Sequence, residues 1–129
     1  MPTEKIYAGR KFAVQGWVDN EKLLIREFLD ELAENRDGDA ERLRNLIVRV
    51  ADEGVTHNQQ HVRPLDTNIF EFKGSRTGRI LFFYDKGQLI ICSHGFKGKS
   101  GNELKRIAKE IRKANRIRED YFDEKRTKR

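Results

Sequence analysis

Between Arg10 and Val18 the apolar side chains fall at alternate positions, with Phe12, Val14 and Gly16 on one side. That period of two predicts a strand. From Leu24 the period lengthens. Leu24, Ile25, Phe28, Leu29 and Leu32 recur at helical spacing, predicting a helix through Arg36 with Asp19 or Asn20 as its N-cap. Asp37-Gly38-Asp39 breaks that helix and caps a second, whose stripe of Leu43, Leu46, Ile47 and Val50 stops near Gly54. Two amphipathic helices joined by so short a turn pack as a hairpin. The polar stretch Val55 to Asp66 reads as a loop. Three β-type runs follow, Asn68–Lys73, Thr77–Tyr84 and Gln88–Phe96, separated by turns around Gly74-Ser75-Arg76 and Asp85-Lys86-Gly87. Ile80 to Phe83 are apolar without alternation, as in a central strand covered on both faces. Beyond the basic turn Lys97–Gly101, Asn102 caps a last helix. Its stripe is Leu104, Ile107, Ala108, Ile111 and Ala114, extending to Tyr121 and Phe122.

The order predicts an α+β fold: an antiparallel sheet made of the N-terminal strand and a three-stranded meander, with a helical hairpin and a C-terminal helix packed on it. Residues 1–124 form a single domain, and residues 125–129 read as a disordered basic tail.

The chain has 129 residues, and no apolar run approaches the ~18 that a membrane span requires. Its first residues carry no apolar signal region, so the expectation is a cytoplasmic protein with no membrane partner. A single cysteine, Cys92, excludes an intramolecular disulfide and a multi-cysteine zinc site; it reads as a small buried hydrophobe. His57 and His61 stand four residues apart, but the segment does not read as helical and places no carboxylate or thiol between them, so no metal site is read there. Lys and Arg total 27 against 21 Asp and Glu, a formal charge of +6. The excess is local. Residues 97–129 hold 13 basic and 6 acidic side chains, a net of +7, whereas residues 1–96 sum to −1. Such a segment beside a folded body is the footprint of a polyanion partner, or else a solvated helix with a frayed end.

The densest collection of reactive side chains lies in the meander and its exit: Glu71 and Lys73, then Arg79 and Tyr84, then His94, Lys97 and Lys99. Alternation puts Glu71 and Lys73 opposite Phe70 and Phe72, and gives His94 the parity of Ile90, Cys92 and Phe96. Gathered on one sheet face, these groups would supply what RNA scission without a metal requires. A base takes the 2′-hydroxyl proton, cations stabilise the phosphorane, and an acid protonates the leaving 5′-oxygen. His94 is the natural proton carrier. Each residue also has a plainer reading: Lys73 and Arg79 as surface charges, His94 as a structural histidine, Tyr84 as a core ring with its hydroxyl outside. Lys97-Gly98-Lys99-Ser100-Gly101 lacks the spacing of a nucleotide-binding P-loop, although its backbone amides suit a polynucleotide phosphate.

Three segments in order, Asn68-Ile-Phe-Glu-Phe-Lys73, Gly78-Arg-Ile-Leu-Phe-Phe-Tyr84 and Ser93-His-Gly-Phe-Lys-Gly-Lys-Ser100, resemble the phage-derived HigB-like branch of the RelE/ParE toxin superfamily. The resemblance covers residues 60–122. It implies a RelE-like fold and the toxin of a type II toxin–antitoxin pair, a metal-independent, cofactor-free endoribonuclease cutting mRNA on the ribosome. A helix-turn-helix antitoxin would be its partner. Lys73, Arg79, His94, Lys97 and Lys99 match the family's pattern, with Tyr84 as an addition. Lys105, Arg106, Lys109, Arg112, Lys113 and Arg116 would bind ribosomal RNA phosphates. The sequence departs from the pattern at Gly98, where a second adjacent lysine is common, and at Ser100-Gly101-Asn102, where Thr-Pro is usual. A gyrase-inhibiting toxin, or an RNA-binding domain without catalysis, are the alternatives.

Overall fold

A computed structural model describes residues 2–55, 61–98 and 103–127, without the side chains of residues 103–106. Strands β1 (Thr3–Ala8), β2 (Ala13–Asp19) and β3 (Lys22–Leu23) precede helices α1 (Leu24–Glu34) and α2 (Asp39–Glu53). Strands β4 (Val62–Pro64), β5 (Phe70–Lys73), β6 (Gly78–Asp85) and β7 (Leu89–Lys97) then lead to α3 (Glu103–Thr127). No helix among the described residues is long and apolar enough to cross a membrane.

The α+β class, the helical hairpin and the meander follow the pattern of the sequence. The sheet, however, is mixed: its order is β1-β2-β7-β6-β5-β4, and β2 runs parallel to β7. An antiparallel-only sheet was expected because hairpins announce themselves locally. The β2–β7 pairing instead joins segments separated by both helices and most of the meander. Three strands are additions: the two-residue β3, which pairs with β2, and two more. β1 has few apolar residues to mark it, and β4 pairs with β5 inside the stretch read as loop. Asp19 and Asn20 do not cap α1, because Asn20 and Glu21, both at positive φ, form the two-residue turn joining β2 to β3.

Both faces of the sheet are covered. Ile80, Phe82, Ile90 and Cys92 pack with Leu32, Leu43, Ile47 and Val50 of α1 and α2. Leu81, Phe83, Ile91 and Phe96 pack with Ala114, Ile117 and Tyr121 of α3. At 25 cal/mol per Å², each fully buried Phe or Ile contributes about 2 kcal/mol, so the two layers hold the sheet from both sides.

Two carboxylates pin the layers. Asp39, fully buried, accepts from Ser75 N, Ser75 Oγ, Arg76 N and Gly78 N at 2.9–3.2 Å, fixing the start of α2 to the β5–β6 turn. Asp85 accepts from Tyr121 Oη and Lys125 Nζ, both at 2.6 Å. That clamp carries α3 through Thr127, so residues 125–127 are helical rather than part of a disordered tail; residues 128–129 lie outside the described residues.

Candidate functional site

Strand register sets out the face beneath α3. Arg63, Glu71, Leu81 and His94 lie in one row across β4, β5, β6 and β7; Lys73, Arg79 and Phe96 form the next. His94 reaches this face because β7 is irregular. Phe82 pairs with Cys92 but Leu81 pairs with His94, leaving Ser93 as one extra residue. The bulge reverses the parity, so Ile90 and Cys92 face α1 and α2 while His94 and Phe96 face α3. The shared parity expected from simple alternation is thereby corrected.

His94 is 2 % exposed and bonded at both ring nitrogens. Nε2 lies 3.0 Å from Glu110 Oε1 and Nδ1 lies 3.0 Å from Ser93 Oγ. Ser93 Oγ is also 3.3 Å from the Leu81 carbonyl. Burial, and then the Lys113 ammonium, push the imidazole below its ordinary value, while Glu110 pulls against them. A neutral ring donating from Nε2 to Glu110 and accepting from Ser93 satisfies every group. The pair lies in a cleft between β7, α1 and α3 lined by Phe28, Glu31, Gly95, Phe96, Lys97 and Lys113. An imidazole–carboxylate pair ringed by two ammonium groups can move a proton and hold a phosphate.

Of the residues singled out in the sequence, His94 and Lys97 meet here, joined by Lys113. Arg79 shares the face but is buried. Its Nη1 donates to the carbonyls of Gly78 at 2.9 Å and Arg76 at 3.3 Å, and its Nε lies 3.7 Å from Glu71 Oε2. Arg63 Nε donates to the other Glu71 oxygen at 2.8 Å. Neither Glu71 Oε2 nor Arg79 Nε has a hydrogen-bond partner among the described residues.

Lys73 is paired with Arg79 by register but lines a different groove, with Arg42 and His61. Tyr84 does not join the cluster. With Ile80 and Phe82 it faces α1 and α2, its ring 5.1 Å from Phe70 and 5.8 Å from Phe12. Burial raises its phenol above the ordinary value. Lys109, Arg112 and Arg116 are exposed along α3, and Lys113, also exposed, lines the His94 cleft. Lys99 and His57, and the side chains of Lys105 and Arg106, lie outside the described residues.

Sequence reasoning missed Glu110 and Ser93. Glu110 left a signal: it occupies the inward stripe between Ile107, Ile111 and Ala114, where a carboxylate needs a partner, while Ala108 faces solvent. Ser93 left none.

A family model described as Phage derived protein Gp49-like (DUF891) matches residues 27–119, from α1 through most of α3. No curated protein is similar enough to the chain to count as a match.

Proposed function

The chain belongs to the phage-derived Gp49-like family, toxin-like proteins within the RelE/ParE-like superfamily, and from that premise we propose that it is the toxin of a type II pair acting as an endoribonuclease. One observation carries the nuclease reading: the 3.0 Å contact of His94 with Glu110 inside a cleft that Lys97 and Lys113 line.

The chemistry runs as a transesterification. The His94–Glu110 pair takes the proton of the ribose 2′-hydroxyl, and the 2′-oxygen attacks the adjacent phosphorus. The bond to the 5′-oxygen breaks, leaving a 2′,3′-cyclic phosphate and a 5′-hydroxyl whose proton returns from the pair. Acid–base assistance of this kind contributes about 10²–10⁴-fold. Lys97 and Lys113 stabilise charge on the phosphorane, an electrostatic contribution that grows as water is excluded. No step calls on a metal ion.

On this reading the substrate is translated mRNA, the exposed Lys109, Arg112 and Arg116 contact ribosomal RNA, and a helix-turn-helix antitoxin is the partner. The segments around Lys73, Gly78-Arg79 and His94 support the HigB-like branch. The test is primer extension on mRNA from cells expressing the chain. Cuts within translated codons are expected for the native sequence and none for His94→Gln. Undiminished cutting by the variant, or growth arrest without any cuts, would overturn the reading.

A further inference from the structure

A second groove, to which no described residue of α3 contributes, runs between α2 and the β5 end of the meander. Arg42, Asn45, Leu46 and Arg49, at successive positions of one helical face, form one wall. Lys73, Gly74, Ser75 and His61 form the other, tied together by the bond from Lys73 N to the His61 carbonyl at 2.8 Å.

We propose that this groove binds the sugar–phosphate backbone of single-stranded RNA, apart from the cleft that holds His94. Three features argue for it. First, Arg42, Arg49 and Lys73 carry no ion pair among the described residues, whereas the neighbouring cations Arg26 and Arg44 are paired with Glu4 at 3.3 Å and Asp30 at 3.7 Å. Second, Asp39, the carboxylate closest to the Gly74 end, is turned into the β5–β6 turn and saturated by donors from Ser75, Arg76 and Gly78. Glu41 is therefore the single acid lining the groove among the described residues. Third, Leu46 is the only large apolar side chain among the described residues of the lining, and it is buried. A protein partner would need an aromatic or aliphatic anchor, which these walls do not offer.

Arg42 and Arg49 stand about 10 Å apart along the helix, at 1.5 Å per residue. They can therefore follow successive phosphates instead of clamping one. With no aromatic ring among the described lining residues to stack a base, binding is indifferent to sequence. The choice of RNA as the polyanion rests on the nuclease reading; the electrostatics of the groove do not.

Fluorescence anisotropy with a labelled 2′-O-methyl RNA 12-mer, which cannot be cleaved through its 2′-oxygen, tests the proposal on the full chain. Arg42→Ala with Arg49→Ala should weaken binding about tenfold at 50 mM salt and reduce the log–log salt slope by about 1.4, or 0.7 per phosphate contact on a single strand. Arg42→Lys with Arg49→Lys should retain the slope, which separates lost charge from a damaged fold. Because the probe cannot be cleaved, the result is read without turnover, and a failed nuclease reading leaves it standing. The proposal is overturned if the alanine pair binds unchanged, or if Arg26→Ala with Arg44→Ala weakens binding equally. It is also overturned if the native chain binds a polyglutamate peptide and no RNA.

Discussion

A β-carbon placed on Gly95 would stand 2.1 Å from Cδ2 of the Phe28 ring, so the α1 aromatic rests directly on the backbone of β7. Gly95 follows His94 and lines the same cleft, and this contact fixes the strand where the imidazole is mounted. Gly95→Ala must therefore move α1 or β7. Overpacking of this kind costs about 3 kcal/mol, the upper end of its usual range. A thermal melt should show a fall of roughly 10 °C. Phe28→Ala, which clears the ring away, should make the added methyl nearly neutral in that background; additive losses would show that the contact is not the cause.

Asp39 ties α2 to the β5–β6 turn with a carboxylate rather than a neutral cap. Burial pushes its carboxyl up, but the amides of Gly78 and Arg76, the Ser75 hydroxyl and the Ser75 amide outweigh it and hold the group below its ordinary value. A depressed native pKa contributes stability above the unfolded value, near 3.9, and loses it as pH falls through the native one. Asp39→Asn presents an amide N–H to donors on one side and should cost about 3 kcal/mol at pH 7. Urea melts of the native chain and the variant should converge as the pH drops below about 3.9. A pH-independent gap between them would contradict this assignment.

Lys113 and Glu110 pull the His94 titration in opposite directions. Lys113→Met removes a neighbouring cation and should raise the imidazole pKa, whereas Glu110→Gln should lower it further. The acid limb of cleavage should move the same way in each variant, because the pair can take a proton only while the ring is neutral. Stability follows a related sign. The native pKa lies below the unfolded value of about 6.5, so the contribution is complete above that pH and is lost as acid charges the unfolded chain first. The C–H resonances of the His94 ring, followed by NMR from about pH 4 to about pH 8, a span that brackets the ordinary imidazole value of about 6.5, read these shifts directly.

Much of this arrangement is legible in the sequence. Leu24 to Leu32 and Leu43 to Val50 declare two amphipathic helices, and Ile80 to Phe83 declare a strand buried on both sides. The features that local patterns do not announce depend on contacts between distant segments. TEKIYA becomes β1 only because β2 is there to pair with it, and β2 runs parallel to β7 for reasons no local pattern carries. The site is half visible. His94 and Lys97 share a cleft, but Lys73 lines a different groove and Tyr84 faces the other side of the sheet. The decisive feature is the bulge at Ser93, since one unpaired residue reassigns every later side chain of β7. A serine in an alternating run gives no warning of it.

Ser93 has a further role, which its two partners define. With the ring neutral, its hydroxyl donates to Nδ1 of His94, 3.0 Å away. With the ring protonated, Nδ1–H donates to Ser93 Oγ, and the hydroxyl turns to the Leu81 carbonyl at 3.3 Å. One rotation keeps every group satisfied in both states, which suits a residue that must accept and return a proton. Ser93→Ala deprives the neutral ring of an ordinary hydrogen bond, worth about 1 kcal/mol, and the cation of a charge-assisted one, worth about 2. The difference should lower the His94 pKa by roughly one unit. It should also slow cleavage on the order of tenfold wherever uptake of the 2′-hydroxyl proton is limiting. Ring nitrogen shifts in the NMR spectrum distinguish the tautomers, and an unaltered titration in Ser93→Ala would remove the hydroxyl from the proton path.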